Sequence, residues 1–421
     1  MASVTKKGLR IKQQKAFKEL REEDVQREAR AAMIQELIPL GLAAVNVELQ
    51  REFEGLVGRK HARGKPMGPW GSNRGSVYLG DQKVAIEVPR VRRRATNTEV
   101  PLEMYESLQN PRVIDHLVLN RVINGISLRK YERAVTAIPE TFGIKATSLS
   151  RRFKRASSKK LAQMNERDLS VYDIVAIFLD GKHFSTDHEI VVALGITLEG
   201  EKVILGMIET STENYAICRD FLNGLLSRGL DIEDPILCVI DGGKGIRKAL
   251  DVVFEEKAVI GRCQWHKREN VVEYLPKGRR EEYRSRLQNA YDQKTEERAR
   301  KLLNAIKQDL SLLNQSAVNS LDEGFEETLI LHKLGMFEKL GTSFKTTNCI
   351  ENVNRQLGIY TDRICDWKNS HQRQRWVATA LWEIEPRLRK VRGYEHLVEL
   401  RRVMQQYVVQ KKKSLKLKEA A

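Results

Sequence analysis

The sequence predicts an α/β protein whose core is interrupted by an all-helical segment and preceded by a region of helices and a β-hairpin. Three observations lead to this class. Short apolar runs alternate with amphipathic stretches after Tyr172, charged helical sequence fills residues 268–341, and basic helical and Gly-rich sequence precedes Tyr172. A chain of 421 residues is long enough for two or three domains with sizeable cores.

Positive charge is concentrated in the first part of the chain. The formal net charge is +17, and residues 1–170 contain 33 Lys and Arg against 19 Asp and Glu. A basic chain of this size most often binds nucleic acid, although ribosomal, chaperone-like or membrane-surface partners also fit such a charge. We therefore expect residues 1–170 to hold a polyanion.

The N-terminal region predicts a long helix followed by a β-hairpin. Residues 10–55 have helical periodicity, and the Gly-rich basic stretch at 58–80 predicts an irregular connection with at most a short strand. The sequence SVYLGDQKVAIEVPRVRRR alternates apolar and polar residues around Gly80-Asp81, which is typical of a hairpin. The arginines at its far end either contact phosphates or form a solvated sheet edge; they are Arg90, Arg92, Arg93 and Arg94.

A helix-turn-helix pattern follows the hairpin. Residues 127–160 predict a helix, a turn near Phe142-Gly143-Ile144 and a second helix. The second helix of such a motif enters the major groove of DNA, and here it carries Arg151, Arg152, Lys154 and Arg155. Many basic helix pairs bind nothing, so this pattern alone leaves a solvated surface as the alternative.

The elements after Tyr172 come in the order strand, strand, strand, helix, strand, helix, strand. The last of these strands is predicted within AVIGRCQWHKREN. This order is that of an RNase H-like α/β domain, in which the first and fourth strands lie side by side. The predicted divisions are 1–95, helices and hairpin; 96–170, helix-turn-helix-like; 171–267, first part of the α/β core; 268–341, helical insertion; 342–390, second part of the core; and 391–421, a basic C-terminal helix or tail. The last residues of that tail, QKKKSLKLKEAA, are expected to be disordered.

Two acids come at the predicted ends of buried strands. Asp180 follows the apolar run AIFL, and Asp241 follows CVI. Because the two strands are expected to be neighbours, the carboxylates should lie together, where they repel one another and need a cation such as Mg²⁺. Each aspartate taken alone is better explained as a strand-end turn or cap.

A third acid completes the pattern. Glu351 lies in KTTNCIENVNRQL, which predicts a helix start with Thr346, Thr347 or Asn348 as the cap. An acid in the first helical turn ordinarily complements the helix dipole. However, two metal ions about 4 Å apart need a third carboxylate if they are to support phosphodiester cleavage and transfer. The joint occurrence of three acids on the expected elements favours this metal centre.

The stretch CQWH, from Cys263 to His266, is a second peculiarity. Two ligands at this spacing do not make a zinc site, which needs four ligands or three and a water molecule, and the sequence shows no second pair. His266 is expected to contact DNA or the scissile phosphate, and Cys263 to pack in the sheet; the alternative is a buried cysteine beside a hydrogen-bonded core histidine. The five cysteines are scattered without a CxxC pair, so we expect them to be reduced.

Four stretches carry a resemblance to a known family. IFLDGK, CVIDGGKGIRKAL, GRCQWHKRENVVEYLPK and TTNCIENVNRQL resemble, in order and wording, the Mutator-type DDE transposases of bacterial insertion sequences. The resemblance extends from about Gly58 to Leu357. One departure follows Glu351, where the family usually has a basic cluster and this chain has the mixed sequence GIYTDRICDWKNSHQRQRW.

The resemblance implies a site and a reaction. Asp180, Asp241 and Glu351 would be the catalytic, metal-binding triad, and Cys263 and His266 would form the C(2)H signature. The implied cofactors are two Mg²⁺ (or Mn²⁺) ions per active site, and the implied activity is cleavage and strand transfer at terminal inverted repeats. The alternatives are a metal-dependent nuclease without strand transfer and a non-catalytic, transposase-derived DNA-binding protein.

The expected partners and location follow from this activity. The substrates would be double-stranded DNA at the terminal repeats and at the target, held by a homodimer or a higher assembly. The sequence contains no apolar run of membrane-spanning length and no secretory signal, so a cytoplasmic, nucleoid-associated bacterial protein is expected.

Overall fold

The computed structural model is a mixed α/β protein. It describes residues 41–58, 65–79, 82–109, 112–126, 146–185, 188–210, 214–364 and 366–419. The chain divides into two compact units, Met1–Ala156 and Ser157–Ala421. Three predicted features lie outside the described residues: the first part of the 10–55 helix, the Gly80-Asp81 turn, and the first helix and turn of the helix-turn-helix pattern.

The first unit contains a three-stranded antiparallel sheet. Its strands lie in the order β1 (Met67–Leu79), β2 (Gln82–Arg93) and β3 (Thr98–Val100). Helix α1 (residues 41–57) precedes the sheet, and α2 (Glu103–Gln109) and α3 (Arg112–Ile123) follow it. Helix α4 (Ala146–Asn165) begins in the first unit and ends in the second. The sheet and α1 share a small core that includes Val45, Leu49, Val77, Val91 and Leu102.

The predicted hairpin is confirmed, but its first strand is longer than expected. β1 pairs with β2 from Met67↔Arg93 to Leu79↔Gln82, with an irregularity between Pro69 and Ser72. The prediction of an irregular connection with at most a short strand is therefore wrong for residues 67–75, whereas residues 76–79 form part of the hairpin as predicted. Gly and Ser are weak strand formers, but a strand's stability depends mainly on its partner, and β2 is rich in β-branched residues.

The second unit is built on a five-stranded mixed sheet. The elements are β4 (Ile174–Ser185), β5 (His188–Thr197), β6 (Lys202–Thr210), α5 (Tyr215–Ser227), β7 (Ile236–Ile240), α6 (Lys244–Val253) and β8 (Ala258–Arg262). The strands lie in the order β6-β5-β4-β7-β8, with β4, β7 and β8 parallel. The predicted adjacency of the first and fourth strands is confirmed. Both β7 and β8 are buried along their whole length, which explains their continuous apolar sequence.

A run of seven helices follows β8. These are α7 (Gln264–Glu273), α8 (Lys277–Tyr291), α9 (Glu296–Ser311), α10 (Gln315–Asp322), α11 (Phe325–Thr328), α12 (Ile330–Lys333) and α13 (Phe337–Phe344). They have a hydrophobic cluster of their own, which includes Val271, Leu287, Leu303, Leu310 and Leu321. The predicted strand in AVIGRCQWHKREN is correct only to Arg262, because the polar QWHKREN that follows forms α7 and buries Lys267 and Val271 on one face.

Three further helices follow this run. They are α14 (Asn348–Thr361), α15 (Ser370–Ile384) and α16 (Leu397–Glu419). Short 3₁₀ turns lie at Glu255–Lys257, Glu385–Arg387 and Tyr394–His396. None of the helices in the described part of the chain combines the length and the apolar character needed to cross a membrane.

The expected disorder of the basic tail is wrong as far as Glu419, where α16 ends. The helix is anchored by an apolar stripe of Leu397, Leu400, Met404 and Val408, all buried, and by Arg401, which pairs with Asp173. Lys, Gln and Leu are all good helix formers, so the anchored helix continues through the charged sequence.

Replacing Leu400 with Ala should lower the free energy of unfolding by about 2–5 kcal/mol, because Leu400 is fully buried. Val398 is 63% exposed on the same helix, and Val398→Ala should change this free energy by less than about 0.5 kcal/mol. Urea unfolding followed by circular dichroism measures both values. Equal effects of the two substitutions would contradict the packed face described for α16.

Candidate active site

Asp180 and Asp241 lie on neighbouring parallel strands at the same level of the sheet. The last aligned pair of β4 and β7 is Leu179↔Ile240, so the two aspartates are the next residue of each chain segment. Neighbouring strands are about 4.8 Å apart, which brings the two carboxylates close together. One detail of the prediction is corrected: β4 does not end at Asp180 but continues to Ser185 beside β5.

The charge of Asp180 is held at an energetic cost. Burial, the neighbouring charge of Asp241 and, to a smaller extent, the charge of Glu351 together raise the pKa of Asp180 to about 6. The charge of His266 and a hydrogen bond from Asn354 act in the opposite direction. The three predicted acids therefore interact electrostatically across one site, as their places in the sequence suggested.

Glu351 enters the site from the first turn of α14. Ile350 and Val353 on either side of it are fully buried, whereas Glu351 itself is partly exposed. Thr347 occupies the N-cap position, but its hydroxyl does not cap the backbone. Instead, Thr347 Oγ1 donates a hydrogen bond to Glu351 Oε1 at 2.7 Å. Thr346, another predicted cap, instead accepts a hydrogen bond through Oγ1 from Asn348 N at 3.4 Å, while Thr347 orients the carboxylate.

Cys263 and His266 lie against the same helix start. The Thr347 hydroxyl is 3.3 Å from both Cys263 Sγ and His266 Nδ1, and Thr347 N is 3.4 Å from Sγ. Cys263, His266 and Glu351 each offer a donor atom, and these atoms all lie within 4.8 Å of one another. The two residues of the CQWH stretch thus lie beside the third acid.

A shared proton couples Cys263 to His266. Burial alone would raise the pKa of the Cys263 thiol, but hydrogen bonds with His266 and Thr347 outweigh burial and lower it. The hydrogen bond with Cys263 raises the pKa of His266 to about 9, with further support from Asp241 and Glu351. At neutral pH the imidazole is therefore positively charged and faces the acids. The prediction that Cys263 packs in the sheet is wrong in detail, since Cys263 lies just after β8 at the start of α7.

Backbone hydrogen bonds anchor the CQWH stretch on both sides. Cys263 N donates to Ile240 O, next to Asp241, and Gln264 N donates to Lys345 O, just before α14. The buried Arg262 guanidinium donates to Gly242 O at 2.7 Å and to Glu323 O at 2.6 Å. These bonds connect the end of β7, the helical segment and the start of α14, and so hold the site together.

Asn354 belongs to the site and was not predicted from the sequence. Its Nδ2 donates to Asp180 Oδ2 at 2.8 Å, while its Oδ1 is buried with no hydrogen-bond partner. Asn354 follows Glu351 by three residues on α14, so both project from the same helix face. That spacing is the signal in the sequence that could have identified it.

A fourth acid, Glu189, also borders the site. It is 8% exposed on β5, pairs with His183 Nε2 at 3.6 Å, and lies over Gly181, where a Cβ would overlap its carboxylate. Burial raises the pKa of Glu189, and the charge of Asp241 contributes. The glycine after Asp180 therefore makes room for Glu189.

The predicted DNA-binding residues all lie in the first unit. Arg93 and Arg94 are exposed at the end of the hairpin, and Arg92 is partly exposed with Nη1 donating to Asn97 Oδ1 at 3.1 Å. On α4, Arg151, Lys154 and Arg155 are exposed. Arg152 differs from its neighbours: it is 7% exposed, and its guanidinium lies 4.9 Å from the centre of the Tyr78 ring. Because this packing buries its charge, Arg152 is not available to a phosphate in this conformation.

Replacing Asn354 with Ala should raise the pKa of Asp180 above about 6, because the substitution removes a hydrogen bond that stabilises the charged form. The expected size is on the order of one unit, since a hydrogen bond to a charged group contributes about 1.5–3 kcal/mol. Infrared difference spectra between each protein and its Asp180→Asn counterpart, recorded across pH, report this titration. Asn352→Ala is the matched control, because Asn352 is exposed on the same helix and bonds only to Arg355 and Gln356 in the structure. An unchanged titration in Asn354→Ala would show that this hydrogen bond does not act on Asp180.

Known proteins resemble the chain over most of its length. Residues 3–387 match the family described as "Transposase, Mutator family". The chain is 25% identical over 346 residues to the transposase for insertion sequence element ISRM5 of Rhizobium meliloti (strain 1021), covering 80% of this chain and 82% of the relative. It is also 25% identical over 317 residues to the transposase for IS256 in transposon Tn4001 of Staphylococcus aureus, covering 71% and 76%. These matches confirm the resemblance carried by the sequence motifs, and the chain belongs to the Mutator family of transposases.

Proposed function

We propose that this transposase binds the terminal inverted repeats of an insertion sequence and catalyses metal-dependent strand cleavage and strand transfer in an RNase H-like core. The convergence of Asp180, Asp241 and Glu351 on one site is the observation that carries the proposal. The three acids come from two strand ends and a distant helix, and no structural role shared by all three explains why they lie near one another. Binding of a divalent cation would explain it.

The donor set fits Mg²⁺ or Mn²⁺. All three acids offer oxygen ligands, and the pKa of Asp180 is raised first by burial and second by the charge of Asp241, so a bound cation would favour its ionised form. Asp180, Asp241 and Glu351 would hold two such ions. When bound, the ions would activate the attacking water or 3′-hydroxyl and stabilise the leaving oxygen of the phosphodiester.

The surrounding residues prepare the acids for this task. Asn354 holds one oxygen of Asp180, and Thr347 holds one oxygen of Glu351, so both carboxylates have fixed orientations. The charged His266 faces the same site and would attract the phosphate of an incoming strand. No residue needs to form a covalent bond to DNA in this scheme.

The basic surfaces of the first unit would bind the DNA. Arg93 and Arg94 on the hairpin and Arg151, Lys154 and Arg155 on α4 are exposed and would contact phosphates of the terminal repeat. Joining two transposon ends requires both ends in one complex, so a dimer or a larger assembly would form on DNA. Binding of this kind would place the protein at the nucleoid.

Replacing Glu351 with Gln should lower cleavage and joining by more than about 100-fold while leaving DNA binding intact, because a metal ligand is lost. The assay uses labelled element-end DNA with Mg²⁺ or Mn²⁺ at matched DNA occupancy. Glu297→Gln is the control, since Glu297 is an exposed acid in the first turn of α9. It tests whether removing a first-turn acid is harmful in itself.

The outcomes separate the alternatives. Equal activity of Glu351→Gln and the unaltered protein would remove Glu351 from the metal centre. Cleavage without joining by the unaltered protein would favour a nuclease without strand transfer. Binding without either reaction would favour a non-catalytic DNA-binding protein.

Replacing Asp180 with Asn should stabilise the fold at pH 7.5 when no divalent metal is added. The pKa of Asp180 is raised from 3.8 to about 6 on folding, so its ionisation costs nothing below pH 3.8 and the full penalty above pH 6. That penalty is on the order of 3 kcal/mol at most, and Asn avoids it. Urea unfolding at pH 7.5 and pH 3.5 measures the gain, which should vanish at the lower pH and shrink when Mg²⁺ is added.

Asp220→Asn provides the control for this measurement, because Asp220 is an exposed aspartate on α5. It should change the free energy of unfolding by less than about 0.5 kcal/mol. A destabilising effect of Asp180→Asn at pH 7.5 would contradict the electrostatic cost assigned to Asp180.

A further inference from the structure

We propose that Cys263, His266 and Glu351 form a second cation site, selective for a thiophilic ion such as Zn²⁺, and that this ion competes with the catalytic metal for Glu351. The sequence offers only two ligands at a spacing that cannot close a zinc site. The structure adds the third ligand, Glu351, from a helix far along the chain. Three protein ligands with a water molecule in the fourth position are a known zinc arrangement.

The three donors have the chemistry of a zinc site. Sulfur, imidazole nitrogen and carboxylate oxygen bind Zn²⁺ at about 2.0–2.3 Å, which separates the donors by about 3.5 Å in a tetrahedron. The donors here lie within 4.8 Å of one another. Closing this difference takes movements of about 1 Å in side chains, and Glu351 and His266 are both only partly buried.

Thr347 already directs the three donors to one place. Its hydroxyl lies 2.7 Å from Glu351 Oε1 and 3.3 Å from both Cys263 Sγ and His266 Nδ1, and the Thr347 side chain is fully buried. A thiolate and a neutral imidazole are the forms that bind metal, so binding of Zn²⁺ would release protons.

Ligand softness separates this site from the catalytic one. Asp180 and Asp241 offer only oxygen and suit Mg²⁺, whereas a thiolate and an imidazole select zinc over magnesium. Both sites need the carboxylate of Glu351, so occupation of one weakens the other. This consequence rests on the proposed function, while the binding site itself does not.

Cobalt is the probe that tests the binding site. We expect the full chain, without DNA or Mg²⁺, to bind one Co²⁺ with a thiolate-to-cobalt charge-transfer band in the near ultraviolet. Cys263→Ser should abolish the band. Cys349→Ser should retain it, because Cys349 is a buried cysteine on α14 whose thiol donates to Ser343 O instead.

A second variant tests the site independently, in case Cys263→Ser does not fold. Glu351→Gln changes a partly exposed side chain, and it should keep a charge-transfer band but weaken Co²⁺ binding at least tenfold. Circular dichroism checks the fold of each variant. Absence of the band in the folded, unaltered protein at saturating Co²⁺ would overturn the site, as would its persistence in Cys263→Ser or unchanged affinity in Glu351→Gln.

Competition is tested by adding stoichiometric Zn²⁺ to the Mg²⁺-dependent cleavage assay. The ratio of activity with and without Zn²⁺ should fall at least tenfold in the unaltered protein and in Cys349→Ser, and it should stay near one in Cys263→Ser. Equal inhibition in Cys263→Ser would overturn the competition. If the unaltered protein never cuts DNA, the proposed function fails, whereas the cobalt measurement still decides the binding site.

Discussion

The parallel pairing of β4 with β7 is the constraint on which the site depends. It places Asp180 and Asp241 side by side at one level of the sheet, where burial raises the pKa of Asp180. The register of the two strands fixes the backbone positions of Asp180 and Asp241, so a change of side-chain conformation leaves the two residues neighbours. The remainder of the site offsets this repulsion: Asn354 donates to Asp180, and the charge of His266 favours its ionised form.

The helical segment between β8 and α14 determines whether the third acid reaches this pair. Its helices pack around a hydrophobic cluster of their own, so the segment is a packed unit and not a long loop. Arg262, the last residue of β8, binds this segment to the sheet through Glu323 O, and within the segment Gln264 Nε2 donates to Thr328 O. With this helical segment fixed in place, Gln264 N donates a hydrogen bond to Lys345 O, just before α14, and Glu351 comes to lie beside the strand ends.

Elements whose sequence pattern reflects burial could be predicted from the sequence. Elements whose conformation depends on pairing with another segment could not. The strands of the second unit are continuous apolar runs, so their order and the adjacency of β4 and β7 were predictable. β1 was not, because its Gly-rich sequence owes its extended form to pairing with β2. Asn354 was missed for a different reason: its spacing from Glu351 puts it on the same helix face, but its task depends on the Asp180 carboxylate of a distant strand.

With metal bound as proposed, the position of Glu351 would make metal selection a property of the whole site. Glu351 acts electrostatically on Asp180, and its carboxylate lies within 4.8 Å of the donor atoms of Cys263 and His266. A hard cation would gain from the aspartates and a soft cation from the thiolate and the imidazole, so the carboxylate would serve whichever ion binds more strongly at its free concentration. Mutating Cys263 would therefore alter the choice of ion without touching the two aspartates, whereas mutating Glu351 would weaken both choices together.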